Sequence, residues 1–182
     1  SRKKYGNVQN AMATWRDYMA SMGFGYPLGV DLPGEKRGMI PNDKYYDKNY
    51  NGSWNGLTII SIAIGQGEVT ATPLQIANLG ATIANRGYFI TPHVVKEVED
   101  EALDSIYTNK RYTKVSREHY ETVVQGMRAA VTGGTCRAAN LPGLDVCGKT
   151  GTAQNRGKDH SAFMGFAPMN NPKIAVAVYV EN

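Results

Sequence analysis

The chain has 182 residues, a length that favours one domain and permits a sizeable core. Its 42% hydrophobic and 20% charged residues are those of a folded globular protein, not a disordered or fibrous one. The net charge of +4 comes without a dense Lys/Arg run, so no nucleic-acid arm is expected and Arg2-Lys3-Lys4 reads as a solvated end.

Residues 8–22 carry Val8, Met12, Trp15, Tyr18, Met19 and Met22 at spacings of three and four. That pattern predicts an amphipathic helix, with core-facing Met and aromatic residues and a stop at Gly23. Residues 23–56 form a long connection rich in Gly, Pro, Asn, Asp and Tyr, with a turn at Asp31-Leu32-Pro33-Gly34-Glu35. A connection of this length is usually functional or packed as its own subdomain. Two readings stand: a cleft wall against an extended polar substrate, or a loop pinned by its own tyrosines.

Residues 57–66 are apolar enough to be buried, and Gly65-Gln66-Gly67 interrupts them. Thr72 and Pro73 open a strong helix, as N-cap and first helical position. Its small residues Ala77, Gly80, Ala81 and Ala84 predict a buried helix packed closely on another element and closed by Asn85-Arg86-Gly87. Short strand pieces are predicted at 88–90 and 93–98, then an exposed polar excursion over 97–114. Ser116 is predicted to cap a helix with Val123, Val124, Met127 and Val131 on its apolar face, ending at Gly133-Gly134-Thr135. His93 and His119 receive no role. Strands at 144–152, 161–167 and 173–181, turned by 155–159 and 169–172, complete the chain. The order implies an α+β domain, an antiparallel sheet packed with helices.

Cys136 and Cys147 read as one loop thiol and one small core thiol on a strand, with a bridge as the alternative in an oxidising compartment. A zinc site with His160 would need more ligands than its segment offers, so no metal or other cofactor is expected. No apolar stretch is long enough to span a bilayer, and no secretory signal opens the chain.

The most informative stretch is Gly148-Lys149-Thr150-Gly151-Thr152-Ala153-Gln154. A cation and two hydroxyls on a strand could hold a carboxylate and line a cleft. A rival motif overlaps it, because Gly143-Leu144-Asp145-Val146-Cys147-Gly148-Lys149-Thr150 satisfies G-x-x-x-x-G-K-[ST]. A phosphate loop must follow a strand, use small residues and open into a helix. Here Ala138-Ala139-Asn140-Leu141-Pro142 reads as a loop, the interior Leu-Asp-Val-Cys is β-prone, and no helical period follows Thr150. A strand rather than a helix after Lys149 would exclude the nucleotide reading, which stays as the less favoured alternative until then.

Several segments share an order with one family. They are Gly29-Val30-Asp31-Leu32-Pro33-Gly34-Glu35, Ser61-Ile62-Ala63-Ile64-Gly65-Gln66-Gly67 and Thr70-Ala71-Thr72-Pro73-Leu74-Gln75. Ala84-Asn85-Arg86-Gly87, Gly134-Thr135, Lys149-Thr150-Gly151-Thr152-Ala153-Gln154 and Gly165-Phe166-Ala167-Pro168 continue it. With these the chain resembles a class B penicillin-binding protein, of the elongation-type D,D-transpeptidase group called penicillin-binding protein 2.

The resemblance implies a β-lactamase/D,D-transpeptidase-like fold and acyl transfer on D-Ala-D-Ala stem peptides, through a serine acyl-enzyme that β-lactam antibiotics trap. It also implies that Lys149 supplies positive potential and a partner to the family's second motif. Thr150 and Thr152 would offer hydroxyls to the terminal carboxylate of the substrate. The Thr152 backbone N–H would be half of an oxyanion hole, a kind of donor worth about 3–4 kcal/mol. Gly151 would let the substrate lie close to the strand. Peptidoglycan stem peptides, β-lactams and the cell-elongation machinery are the implied partners, at the periplasmic face of an inner membrane reached by an anchor outside this chain.

The chain departs from the family in lacking a believable S-x-x-K nucleophile. Ser1-Arg2-Lys3-Lys4 fits the letters at a polar end with no apolar helix in register, and Ser53-Trp54-Asn55 fits S-x-N downstream of the first helix, out of the family's order. Cys136 stands where the family often has Ala. Residues 1–182 are therefore expected to form the C-terminal part of a transpeptidase domain, incomplete here and inactive alone, with an open sheet edge that promotes self-association.

Overall fold

Asn7 starts the first long helix by accepting the backbone N–H of Asn10 at 2.7 Å, satisfying one of the donors that a helix start leaves unpaired. The computed structural model describes residues 2–154 and 157–181. Its helices are α1 Arg2–Tyr5, α2 Val8–Ser21, α3 Asp43–Tyr50, α4 Gly56–Ala63, α5 Pro73–Ala84 and α6 Arg117–Thr132. Its strands are β1 Tyr88–Phe89, β2 Arg111–Tyr112, β3 Cys147–Ala153, β4 His160–Ala167 and β5 Ile174–Val180. The α+β expectation holds, and α2 ends where Gly23 adopts φ +95°. A side chain at Gly23 would sit 2.7 Å from the Asn78 amide, so both backbone shape and space require glycine there.

The long connection from 23 to 56 is pinned by its own aromatics. It contains α3, which the sequence pattern did not reveal, capped by Asn42 accepting the Tyr45 N–H at 2.8 Å. Tyr46 is fully buried with Met12, Trp54 and Ile62, and its hydroxyl donates to Glu68 at 2.6 Å. Tyr50 donates to the same carboxylate, and the Trp54 indole donates to Asp47 at 2.7 Å. Burial works against the Glu68 charge, yet the two phenol bonds outweigh it and hold its pKa below the ordinary carboxylate value.

Two carboxylates staple the rest of the connection. Glu35 accepts the N–H groups of Leu28, Gly29 and Val30, closing the Asp31–Glu35 turn on itself. Asp31 accepts the N–H groups of Val94 and Val95. This second staple explains a correction: 93–98 forms no strand, because donors that a sheet ladder would use are taken by Asp31. The excursion over 97–114 returns instead to pair β2 with β1, Tyr88 opposite Tyr112.

The expectation of burial at 57–66 is also corrected. Among these residues only Ile62 is buried, while Leu57 and Ile64 are each 72% exposed. One face of α4 meets the Met12–Tyr46–Trp54 cluster, and nothing among the described residues covers the other. Ser116 occupies the cap position of α6 without a side-chain cap bond, and Val123 lies outward, leaving Tyr120, Val124, Met127 and Val131 inside.

Strands β3, β4 and β5 form an antiparallel sheet in that order. Ile83 and Ala84 from α5, with Val124 and Met127 from α6, pack on Cys147 and Phe166 of the sheet. The close packing expected of α5 centres on Gly80, where an added Cβ would lie 3.3 Å from Met164 and 3.6 Å from Ala175. Cys136 and Cys147 are both free and buried, so the expected loop thiol is also interior.

Among the described residues β5 pairs only with β4, leaving one edge open. Its sequence, Ile-Ala-Val-Ala-Val-Tyr-Val, has no charge and no proline to discourage further pairing. Ile174, Val176, Val178 and Val180 are exposed along it. This chain is therefore expected to self-associate. Light scattering across a concentration series checks it, and a monomer at the highest concentration would contradict it.

Candidate functional site

Strand β3 is anchored at its start and exposed along the rest of its length. Cys147 is fully buried in the core beneath α5 and α6, and burial pushes its thiol pKa up against the opposing charges of Arg128 and Arg86. It is thus a neutral packing residue. Arg128 on α6 donates to the Val146 carbonyl at 3.1 Å and to Asp145 at 2.9 Å, tying the entry of the strand to the helix. Lys149, Gly151 and Thr152 are exposed and Thr150 is half-buried. Among the described residues β3 pairs only with β4, so its other edge offers backbone donors and acceptors to an extended chain.

A strand runs through Gly148-Lys149-Thr150, and this corrects the phosphate-loop alternative. Phosphate cradles converge consecutive N–H groups at the start of a helix, whereas a strand points successive N–H groups to opposite edges. The nucleotide reading ends here.

Register divides the motif between two faces. Thr150 lies opposite Phe163 and Thr152 opposite Ser161, on the side away from the helices. Lys149 lies opposite Met164 and Gly151 opposite Ala162, on the side shared with buried Cys147 and Phe166. The Lys149 ammonium donates to the Thr150 carbonyl at 2.6 Å, which folds the charge back along its own strand.

The two motif glycines differ in what demands them. A Cβ at Gly148 would lie 2.7 Å from the Phe163 ring, so that glycine belongs to sheet packing. A Cβ at Gly151 would meet only Ala162 at 3.6 Å, ordinary contact, and the residue has no left-handed backbone. The fold does not require glycine at 151.

Gly134-Thr135 is one of the ordered family segments, but its place beside this strand is visible only in the structure. The Thr135 hydroxyl lies 3.2 Å from that of Thr150, which donates to it. The turn after α6 brings it there: the N–H groups of Gly134 and Cys136 both donate to Ala130. A Cβ at Gly134 would sit 2.8 Å from the Ala130 Cα, so the turn needs that glycine. The Gly133-Gly134 pair marks a helix end, but nothing in the linear order says what the next residue touches.

The remaining candidates stand apart. Ser1 lies outside the described residues, as do Asn155 and Arg156 of the expected 155–159 turn. In Ser53-Trp54-Asn55, Trp54 is buried and Asn55 caps α4 by accepting the Leu57 N–H at 2.8 Å, a structural use of the triplet. His93 bonds the Thr91 carbonyl, and His119 is exposed beside Glu118. A groove of about 1140 Å³ is lined by Trp15, Trp54, Leu57 and Ile60 and includes no residue of β3. Among the described residues no group of three or more His, Cys, Asp or Glu side chains could hold a metal, and no helix is long and apolar enough to cross a membrane.

Residues 7–182 match the family described as penicillin binding protein transpeptidase domain. The chain is 35% identical to peptidoglycan D,D-transpeptidase MrdA of Acinetobacter baumannii, over 91% of this chain and 27% of the relative. Against the protein of the same name from Haemophilus influenzae it is 33% identical, over 91% of this chain and 29% of the relative. The chain thus spans less than a third of these relatives. It superposes with a TM-score of 0.79 at 35% identity on Pseudomonas aeruginosa PBP2 in complex with WCK 5153, covering 97% of this chain and 38% of that one. The PBP2 of Helicobacter pylori, solved in complex with MreC, gives 0.78 at 28% identity, covering 96% and 32%. Matched over nearly its whole length in sequence and in fold, with a Lys-Thr-Gly-Thr edge strand lying on its helices, the chain belongs to the penicillin-binding protein transpeptidase family.

Proposed function

We propose that this chain is the later part of the transpeptidase domain of a peptidoglycan D,D-transpeptidase, and supplies one wall of its active site. The observation that carries the proposal is the open edge of β3, where Gly151 is a glycine the fold itself does not need. A bare backbone at that position admits a second extended chain, here the D-Ala-D-Ala end of a stem peptide or a β-lactam. Thr150 and Thr152, side by side on one face, hold its terminal carboxylate. The Thr152 N–H is one donor of the oxyanion hole and Lys149 supplies the cation.

The acylated serine comes from a part of the protein preceding this one, and the amine of a neighbouring strand resolves the acyl-enzyme. The reaction takes place at the periplasmic face of the inner membrane. The H. pylori PBP2–MreC complex supports a partner in the elongation machinery.

Intact mass of the full-length protein and of the 182-residue chain, each before and after incubation with a penicillin, tests this reading. A covalent adduct on the full-length protein and none on the chain is expected. An adduct on Ser1 of the chain would assign the nucleophile there, and no adduct on either would favour a non-catalytic module that binds peptidoglycan.

A further inference from the structure

The Asp31 staple draws two distant apolar segments into one exposed surface. Leu32 follows it in the turn, and the N–H groups that Asp31 accepts belong to Val94 and Val95. Ile106 joins from the return of the excursion, since a Cβ on Gly29 would lie 3.1 Å from its Cδ1. Leu32 is 51% exposed, Val94 63%, Val95 41%, Val98 45% and Ile106 39%. Scattered apolar residues on a surface are ordinary, whereas a group held together marks a contact surface.

Beside this patch the chain turns sharply, where Val98 pairs with Glu101 and Asp100 adopts φ +58°. Glu97, Glu99, Asp100 and Glu101 are all exposed there, with Lys96 as the neighbouring cation. Among the described residues none of these carboxylates forms an ion pair. In a chain of net charge +4, this tip has the opposite sign.

Charge and backbone together select the occupant. An anionic bilayer surface would repel the tip. A two-fold contact with a second copy would bring two such tips to one interface, where like charges oppose binding. An added strand would need the N–H groups of Val94 and Val95, which Asp31 already holds. We propose that this surface docks an amphipathic helix of a partner protein. Its apolar stripe lies on Leu32, Val94, Val95 and Ile106, and its lysines or arginines lie over the acidic tip. The surface shares no residue with β3, so the inference does not rest on the transpeptidase reading.

The test is fluorescence anisotropy of two labelled helical peptides with the full-length protein, each of about 14 residues, or four turns. One combines leucine with lysine and the other leucine with glutamate, on the same apolar pattern. The leucine–lysine peptide should bind at least about tenfold more tightly, a preference that several exposed charge pairs supply and that added salt weakens. Leu32→Ser with Val94→Ser should weaken its binding about tenfold through lost apolar contact. Glu97→Lys with Glu99→Lys and Glu101→Lys should invert the preference between the peptides. All these side chains are exposed, so the melting midpoint and the rate of acylation by a penicillin should stay at wild-type values. No binding, equal binding of both peptides, or binding that neither set of substitutions alters would overturn the proposal. So would a loss of binding to phosphatidylglycerol vesicles, or of self-association, in the Leu32→Ser, Val94→Ser variant, because either would assign the surface to a bilayer or to a second copy.

Discussion

Lys149→Ala in the full-length protein is expected to slow acylation by a penicillin by about 10²–10³-fold, the loss that follows removal of one preorganised charge or donor from an active site. The side chain is exposed and its one hydrogen bond runs to the carbonyl of the next residue, so its removal opens no cavity and strands no buried group. Stability should stay within about 0.5 kcal/mol, the usual range for such a surface change. That separation makes the test decisive. Stopped-flow or mass-resolved acylation gives the rate, and thermal unfolding gives the stability. A variant that acylates at the wild-type rate would remove Lys149 from the mechanism. Lys149→Arg should recover only part of the loss, since a planar fork does not reproduce a compact ammonium at one point.

Gln75→Ala is expected to destabilise the fold by about 3–5 kcal/mol, through loss of several hydrogen bonds inside the protein. Gln75 is 1% exposed. Its amide nitrogen shares two N–H groups among the carbonyls of Gly23, Tyr26 and Arg37, and its amide oxygen accepts the Thr72 N–H at 3.0 Å. One side chain thus closes the N-terminal cap of α5 and gathers three points of the long connection after α2. Truncation leaves those carbonyls facing a cavity. For a domain of this size, each kcal/mol corresponds to about 2–4 °C, so the melting midpoint should fall by roughly 6–20 °C. Gln75→Glu separates the donor from the volume, because a carboxylate of the same size cannot donate to a carbonyl, and it should be as damaging as alanine. A loss under about 1 kcal/mol for either variant would mean that water replaces the amide.

Much of the fold was legible in local pattern. The spacing from Val8 to Met22, the Thr72-Pro73 start and the β-prone runs near the end each settle an element within a few neighbours, where sterics and capping act. The Lys-Thr-Gly-Thr segment was legible for the same reason, and so was its preference for a strand over a phosphate loop. The misses share a different cause. The strand expected at 93–98 was lost to Asp31, more than sixty residues away in sequence. The burial expected at 57–66 failed because apolar content does not say what covers a helix. Tyr46 and Tyr50 stand four apart on one helix, but no spacing marks their meeting with Glu68.

The sequence by itself determined the long helices α2, α5 and α6, the strands near the end, the family and the identity of the exposed motif, since these depend on neighbouring residues and on motifs in order. Only the tertiary structure decided that Gly148 serves packing while Gly151 does not. It alone placed Gln75 against three distant carbonyls and brought Thr135 to Thr150. Each of these is a contact between segments joined by a long path, and its occurrence depends on how helices seat on the sheet, which no local spacing encodes.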